Sequence, residues 1–208
     1  MNDQRIINLE NFIFTNVNME DVAANTIADI IGVLIDIKPA MIGGFTASEY
    51  EKIDTDKFVR LLDTLNLKVL LFNHPYMLSN KMEREEIFCI SKSIDLSKQL
   101  HDAFTDLWAT MDDYGKVFAM ENWEDATKRI GELLGYPDTA IDYFIKEKNL
   151  NDEKRIACMR RNRYYVHNPM FEEREFEAYD RKLNQAISEY APKTTDYFTE
   201  NQKKRWLE

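Results

Sequence analysis

From Ser93 onward the apolar residues of this chain fall at spacings of three and four, segment after segment. That rhythm limits the fold more than any other feature, because it places a run of side chains on one face of a helix. Leu96, Leu100, Phe104, Leu107, Trp108 and Met111 share a face of a helix predicted over 94–112. Ala119, Trp123, Ala126, Ile130, Leu133 and Leu134 do the same over 115–134. Gly135 then supplies the left-handed residue that ends a helix, and Pro137 opens a short one carrying Ala140, Ile141, Phe144 and Ile145. The stretch EEREFEAYDRKLNQAISEYA, 172–191, has acids in its first turn and Phe176, Tyr179, Leu183, Ile187 and Tyr190 along one side. A last amphipathic helix is predicted over 194–207. With 6 Gly and 5 Pro in 208 residues, there is little from which to build long structureless linkers.

The first half mixes two textures. Val22, Ala23, Thr26, Ile27, Ile30, Ile31 and Leu34 form a helical stripe within 19–37, with Asn18 as the expected N-cap and Pro39 with Gly43-Gly44 as the stop. A second helix over 54–66 buries Phe58, Leu61, Leu62 and Leu65 behind Asp54. KVLLFNHPYM and EEIFCISKS, by contrast, are short runs rich in Val, Ile and Phe, and they read as two strands of an antiparallel pair. NFIFTNV, 11–17, is the expected third strand. The fold class is therefore α+β, predominantly helical, with a small antiparallel sheet in the first half. One compact domain is expected over 1–192, with 193–208 as a C-terminal amphipathic helix packed on it or used for docking.

Charge and motifs narrow the function mainly by exclusion. The formal net charge is -10, which disfavours nucleic acid, whose phosphates are bound by neutralising positive charge. The longest apolar stretch, IADIIGVLIDI, is broken by Asp29 and Asp36 and is far shorter than the roughly 20 residues a membrane span needs. The start has no basic segment followed by an apolar run, so a cytoplasmic protein is expected, with Cys89 and Cys158 as buried free thiols. No phosphate-cradling glycine loop, HExxH, GxSxG or zinc-spaced Cys/His set occurs, and no cofactor or metal is expected.

One stretch breaks the acidic background. KRIACMRRNRYYVHNPMF, 154–171, holds five Lys or Arg, three aromatics and His167, and no acid. Arginine grips carboxylate or phosphate with a two-pronged fork, and tyrosine and histidine add hydrogen bonding and proton transfer. Arg160, Arg161, Arg163, Tyr165 and His167 are thus the candidate site for a small anionic ligand. The competing reading spends the same arginines on the chain's own acids. His74 and Tyr76, at the end of the first predicted strand, are secondary candidates, against a plain turn at Asn73–Pro75. Glu121 and Asp125 share a helix face and are weighed against an ordinary exposed acidic surface.

GELLGYPDTAIDYF, Gly131 to Phe144, resembles the GxLLGYPxCCxxFF signature of an uncharacterised prokaryotic family of mixed α/β proteins. Gly131, Leu133, Leu134, Gly135, Tyr136, Pro137 and Phe144 match, over about fourteen residues of 208. Thr139 and Ala140 stand where the signature has cysteines, so no thiol or metal chemistry carries over. The resemblance implies a mixed fold and names no activity. Two functions remain: a non-enzymatic interaction or binding module, engaging a protein partner or itself, and an enzyme or sensor for a small phosphate- or carboxylate-bearing ligand.

Overall fold

A computed structural model describes residues 3–73, 85–110, 120–146, 168 and 170–205. Helix α1 runs Gln4–Asn16 and opens on Asp3, whose carboxylate accepts from the Arg5 amide. It occupies the stretch expected to supply a third strand, and the reason lies upstream. Ile6, Leu9, Phe12 and Ile13 form one buried helical stripe, whereas residues 11–17 alone show no such period. Helix α2, Glu20–Leu34, is capped one residue later than expected. Met19 is the N-cap and makes no side-chain bond, while the Asn18 amide donates to Glu49 Oε1 at 2.6 Å.

The missing strand is β1, Ala40–Thr46, built from AMIGGFT. Its Gly43-Gly44 pair reads locally as a helix stop, but Gly43 is required by packing. A Cβ there would lie 2.6 Å from the Phe88 ring. After the short helix α3, Ala47–Tyr50, helix α4 spans Thr55–Thr64, with Asp54 capping the Lys57 amide at 2.8 Å. Strands β2, Lys68–Asn73, and β3, Glu85–Ser91, form the expected antiparallel pair. Among the described residues the sheet order is β1–β3–β2. Cys89 of β3 faces Ile42 on one side and Leu70 on the other.

Alternation along these strands separates two cores. Met41, Phe45, Phe88, Ile90, Val69 and Leu71 face α1, α2 and α4, where Phe45, Phe58 and Phe88 pack with ring centroids 4.8–5.4 Å apart. Ala40, Ile42, Cys89, Leu70 and Phe72 face the opposite way, onto α5, Ile94–Trp108, and α6, Met120–Leu133. The C-terminal helices then close the first core. α7 spans Asp138–Lys146 and α8 spans Glu172–Glu175, and a π-helical turn, Phe176–Asp180, leads into α9, Arg181–Tyr190. α10, Pro192–Arg205, lies against α2 and α9 and buries Phe198. Among the described residues no helix is long and apolar enough to cross a membrane.

Candidate functional site

Residues 29–38 build an unusual start to the site. α2 ends in a tight turn in which Asp36 adopts φ 61° and the amides of Ile37 and Lys38 both donate to the Gly32 carbonyl at 3.0 Å. That doubled-back chain sends Lys38 along the flank of α2. The side chain passes over Gly32, where a Cβ would meet its methylenes at 3.1 Å, and its ammonium reaches Asp29 Oδ1 at 2.5 Å. The Lys38 side chain is 1% exposed and the Asp29 side chain 26%. Burial works against the ammonium, but Asp29 and the Tyr136 phenol outweigh it and hold the Lys38 pKa above its ordinary value.

Tyr136 reaches this pair from the far side of the chain. Its ring centre lies 5.4 Å from Lys38 Nζ, within cation–π range. The approach depends on Gly135, which sits at φ +74°, and a Cβ on it would lie 2.3 Å from the Ile37 carbonyl oxygen. Gly131 has a parallel role: its Cβ would collide with Ile141 at 2.7 Å, so its absence lets α6 and α7 pack closely. Leu133 and Leu134 are buried beside them. Burial pushes the Tyr136 hydroxyl above its usual pKa, Lys38 pulls it back, and Asp29 adds to the rise.

From Tyr136 the buried polar groups continue into the C-terminal helices. The Tyr136 and Tyr179 rings meet at 6.3 Å between centroids. Tyr179 lies in the π-helical turn, flanked by the buried carboxylates of Glu175 and Asp180. Thr139 donates its hydroxyl to Glu175 Oε1, and the Asn168 amide donates to Oε2 at 3.1 Å. Asn168 also donates through Nδ2 to the Thr139 carbonyl at 3.2 Å. It accepts from the amides of Met170 (3.0 Å) and Phe171 (2.9 Å). The outcome is a firmly held turn that presents Met170, 86% exposed, and Phe171, 38% exposed.

Arg160, Arg161, Arg163, Tyr165 and His167 lie outside the described residues, as do His74, Tyr76 and Cys158. Within the basic stretch the described residues are Asn168, Met170 and Phe171. The Glu121 side chain is likewise outside the description, and Asp125 is exposed. His101 is edge-on to Phe72 at 4.4 Å and lies 3.0 Å from Asp102, at the surface. Among the described residues no group of three or more His, Cys, Asp or Glu is placed to hold a metal ion. Cys89 is a buried free thiol, and burial pushes its pKa up to about 12, so it stays protonated and a poor nucleophile near neutral pH.

Sequence reasoning did not assemble Asp29, Lys38, Tyr136 and Glu175 into one seam. A signal existed for the first two: Asp29 interrupts the apolar run IADIIGVLIDI, and a lysine follows directly after that run. Comparison with protein-family models, with curated proteins and with solved structures gives no match.

Proposed function

We propose that the protein is a non-enzymatic interaction module of the cytoplasm, meeting a protein partner through the Met170–Phe171 turn. The supporting observation is a large apolar side chain held outward on a turn whose backbone is fixed by Asn168, Glu175 and Thr139. A preordered apolar contact loses little conformational entropy on binding. The ionisable groups of the seam support the same reading, since Lys38 is spent on Asp29 and Glu175 on Thr139 and Asn168. The likeness of Gly131–Phe144 to the GxLLGYPxCCxxFF signature fits a shared scaffold, because Gly131, Gly135 and Tyr136 each serve packing here.

A second reading is favoured by the same anchor. Glu175 fixes Asn168, the residue that follows His167 in the sequence. In this reading Arg160, Arg161 and Arg163 clamp a small phosphate- or carboxylate-bearing ligand, with Tyr165 and His167 beside it. Native mass spectrometry of the full chain, purified gently from its native cells, separates the two. The expected result is a second polypeptide of defined mass that is lost in Met170→Asp with helical content unchanged. An anionic small-molecule mass that survives Met170→Asp and is lost in Arg161→Ala would overturn the first reading in favour of the second.

A further inference from the structure

One edge of the sheet has a hydrogen-bonding pattern that can be worked out from a single contact. In an antiparallel pair, alternate residues turn their N–H and C=O groups toward the neighbouring strand and the others turn them away. β1 has β3 on its inner side. The Thr46 amide donates to Glu49 Oε2 at 2.9 Å, so Thr46 belongs to the outward set. Alternation puts Ile42 and Gly44 in that set too. Among the described residues, no backbone group bonds to Ile42 or Gly44 on the outer side.

The open window is bounded and neutral. Ala40 is fully buried at one end, and Glu49 closes the other by binding the Thr46 and Asn18 amides. No residue of AMIGGFT is charged, in a chain whose net charge is -10. The opposite edge differs: β2 opens on Lys68, half exposed and paired with Asp63, the kind of charge that guards an edge against pairing.

We propose that β1 pairs with β1 of a second copy of this chain, antiparallel, about a two-fold axis through Gly43. Ile42 N–H then donates to the second copy's Gly44 carbonyl, and Gly44 N–H donates to its Ile42 carbonyl. Symmetry makes these four bonds. On the axis, Gly43 faces Gly43 at the close spacing of a non-hydrogen-bonded pair, about 4.5 Å between Cα atoms, with no side chains to crowd it. Each Ile42 stands opposite a glycine, which leaves room for its branched side chain. Two acidic copies can meet at this strand because neither carries charge there. Their remaining charges repel, so screening by salt strengthens the pairing. The proposal is independent of the Met170–Phe171 surface, which lies on other elements.

Sedimentation of the full chain across a dilution series tests it. The expected result is a monomer–dimer equilibrium that tightens several-fold between about 0.02 M and about 0.5 M salt. Gly44→Pro deletes an outward N–H, a position where an edge strand accepts proline, and it abolishes the dimer with the circular dichroism unchanged. Amide exchange on the unmodified chain supplies a readout that needs no variant: Ile42 and Gly44 gain protection as concentration rises. A monomer under all conditions would overturn the proposal. So would a dimer that persists in Gly44→Pro or leaves those two amides unprotected, or a foreign polypeptide protecting them on a monomeric chain.

Discussion

Removing Asp29 and removing Lys38 should have very different costs, although both break the same ion pair. At 2.5 Å and an effective dielectric of about 20, the attraction is about 6–7 kcal/mol, which offsets the large desolvation of an ammonium buried almost completely. Asp29→Ala strands that ammonium beneath Tyr136 with no counter-charge, at an expected cost of about 3–5 kcal/mol. Lys38→Met keeps the apolar stem over Gly32 and leaves only a carboxylate, which is about a quarter exposed and free to rehydrate; the expected cost is below about 1.5 kcal/mol. The double variant should recover most of the Asp29→Ala loss. Urea unfolding followed by circular dichroism measures all three. The pH dependence gives an independent sign. In the parent the Lys38 pKa is raised, so its contribution is complete below the unfolded lysine value of about 10.4 and is lost as pH climbs through the folded one. In Asp29→Ala burial, the largest influence on the ammonium, is opposed only by Tyr136, so the folded pKa should fall below the unfolded one and stability should rise with pH as the ammonium deprotonates. Lys38→Met costing as much as Asp29→Ala, or both proteins sloping the same way with pH, would refute the argument.

Two further outcomes follow from single atoms. Gly135→Ala forces a Cβ to 2.3 Å from the Ile37 carbonyl at a left-handed φ, and it should cost at least about 2 kcal/mol by the same urea assay. Cys89, whose folded pKa is raised from 9.0 to about 12, contributes stability that is present below pH 9 and drains away between those values. That loss runs at about 1.4 kcal/mol per pH unit and should be absent in Cys89→Ala, measured as alkaline unfolding midpoints in a Cys158→Ser background.

Much of the helical architecture was legible because tertiary packing and local period agree. The stripes at Leu96–Leu100 and Leu183–Ile187 lie on the buried faces of α5 and α9, and Asp54 opens a helix and Gly135 ends one as their chemistry demands. Two elements were not legible, for opposite reasons. The period of α1 needs Ile6 and Leu9, which lie before the window that looked strand-like. β1 is held by a contact 45 residues away in sequence, Gly43 beneath Phe88, and no local signal separates such a glycine from one that ends a helix. The polar seam was hidden in a similar way. Asp29, Lys38, Tyr136 and Glu175 are ordinary residues in sequence; the Gly32 and Gly135 close approaches bring the first three together, and Glu175 is held through Thr139 and Asn168.

Glu10 lies on α1 with its side chain buried, and it accepts from both the amide and the hydroxyl of Thr194 in the first turn of α10, at 2.8 Å each. The two residues are 184 apart in sequence. Closing a loop of that length costs about 2 kcal/mol more entropy than closing one of about 20 residues, so this clasp forms late on the route to the native state. On a ribosome adding about 5–20 residues per second, α1 and α2 wait roughly ten to forty seconds for the helix that covers them. During that time the faces carrying Ile13 and Ile27 have no C-terminal cover. The fold therefore completes only after synthesis has passed α10, and the nascent chain is most prone to aggregate in that interval.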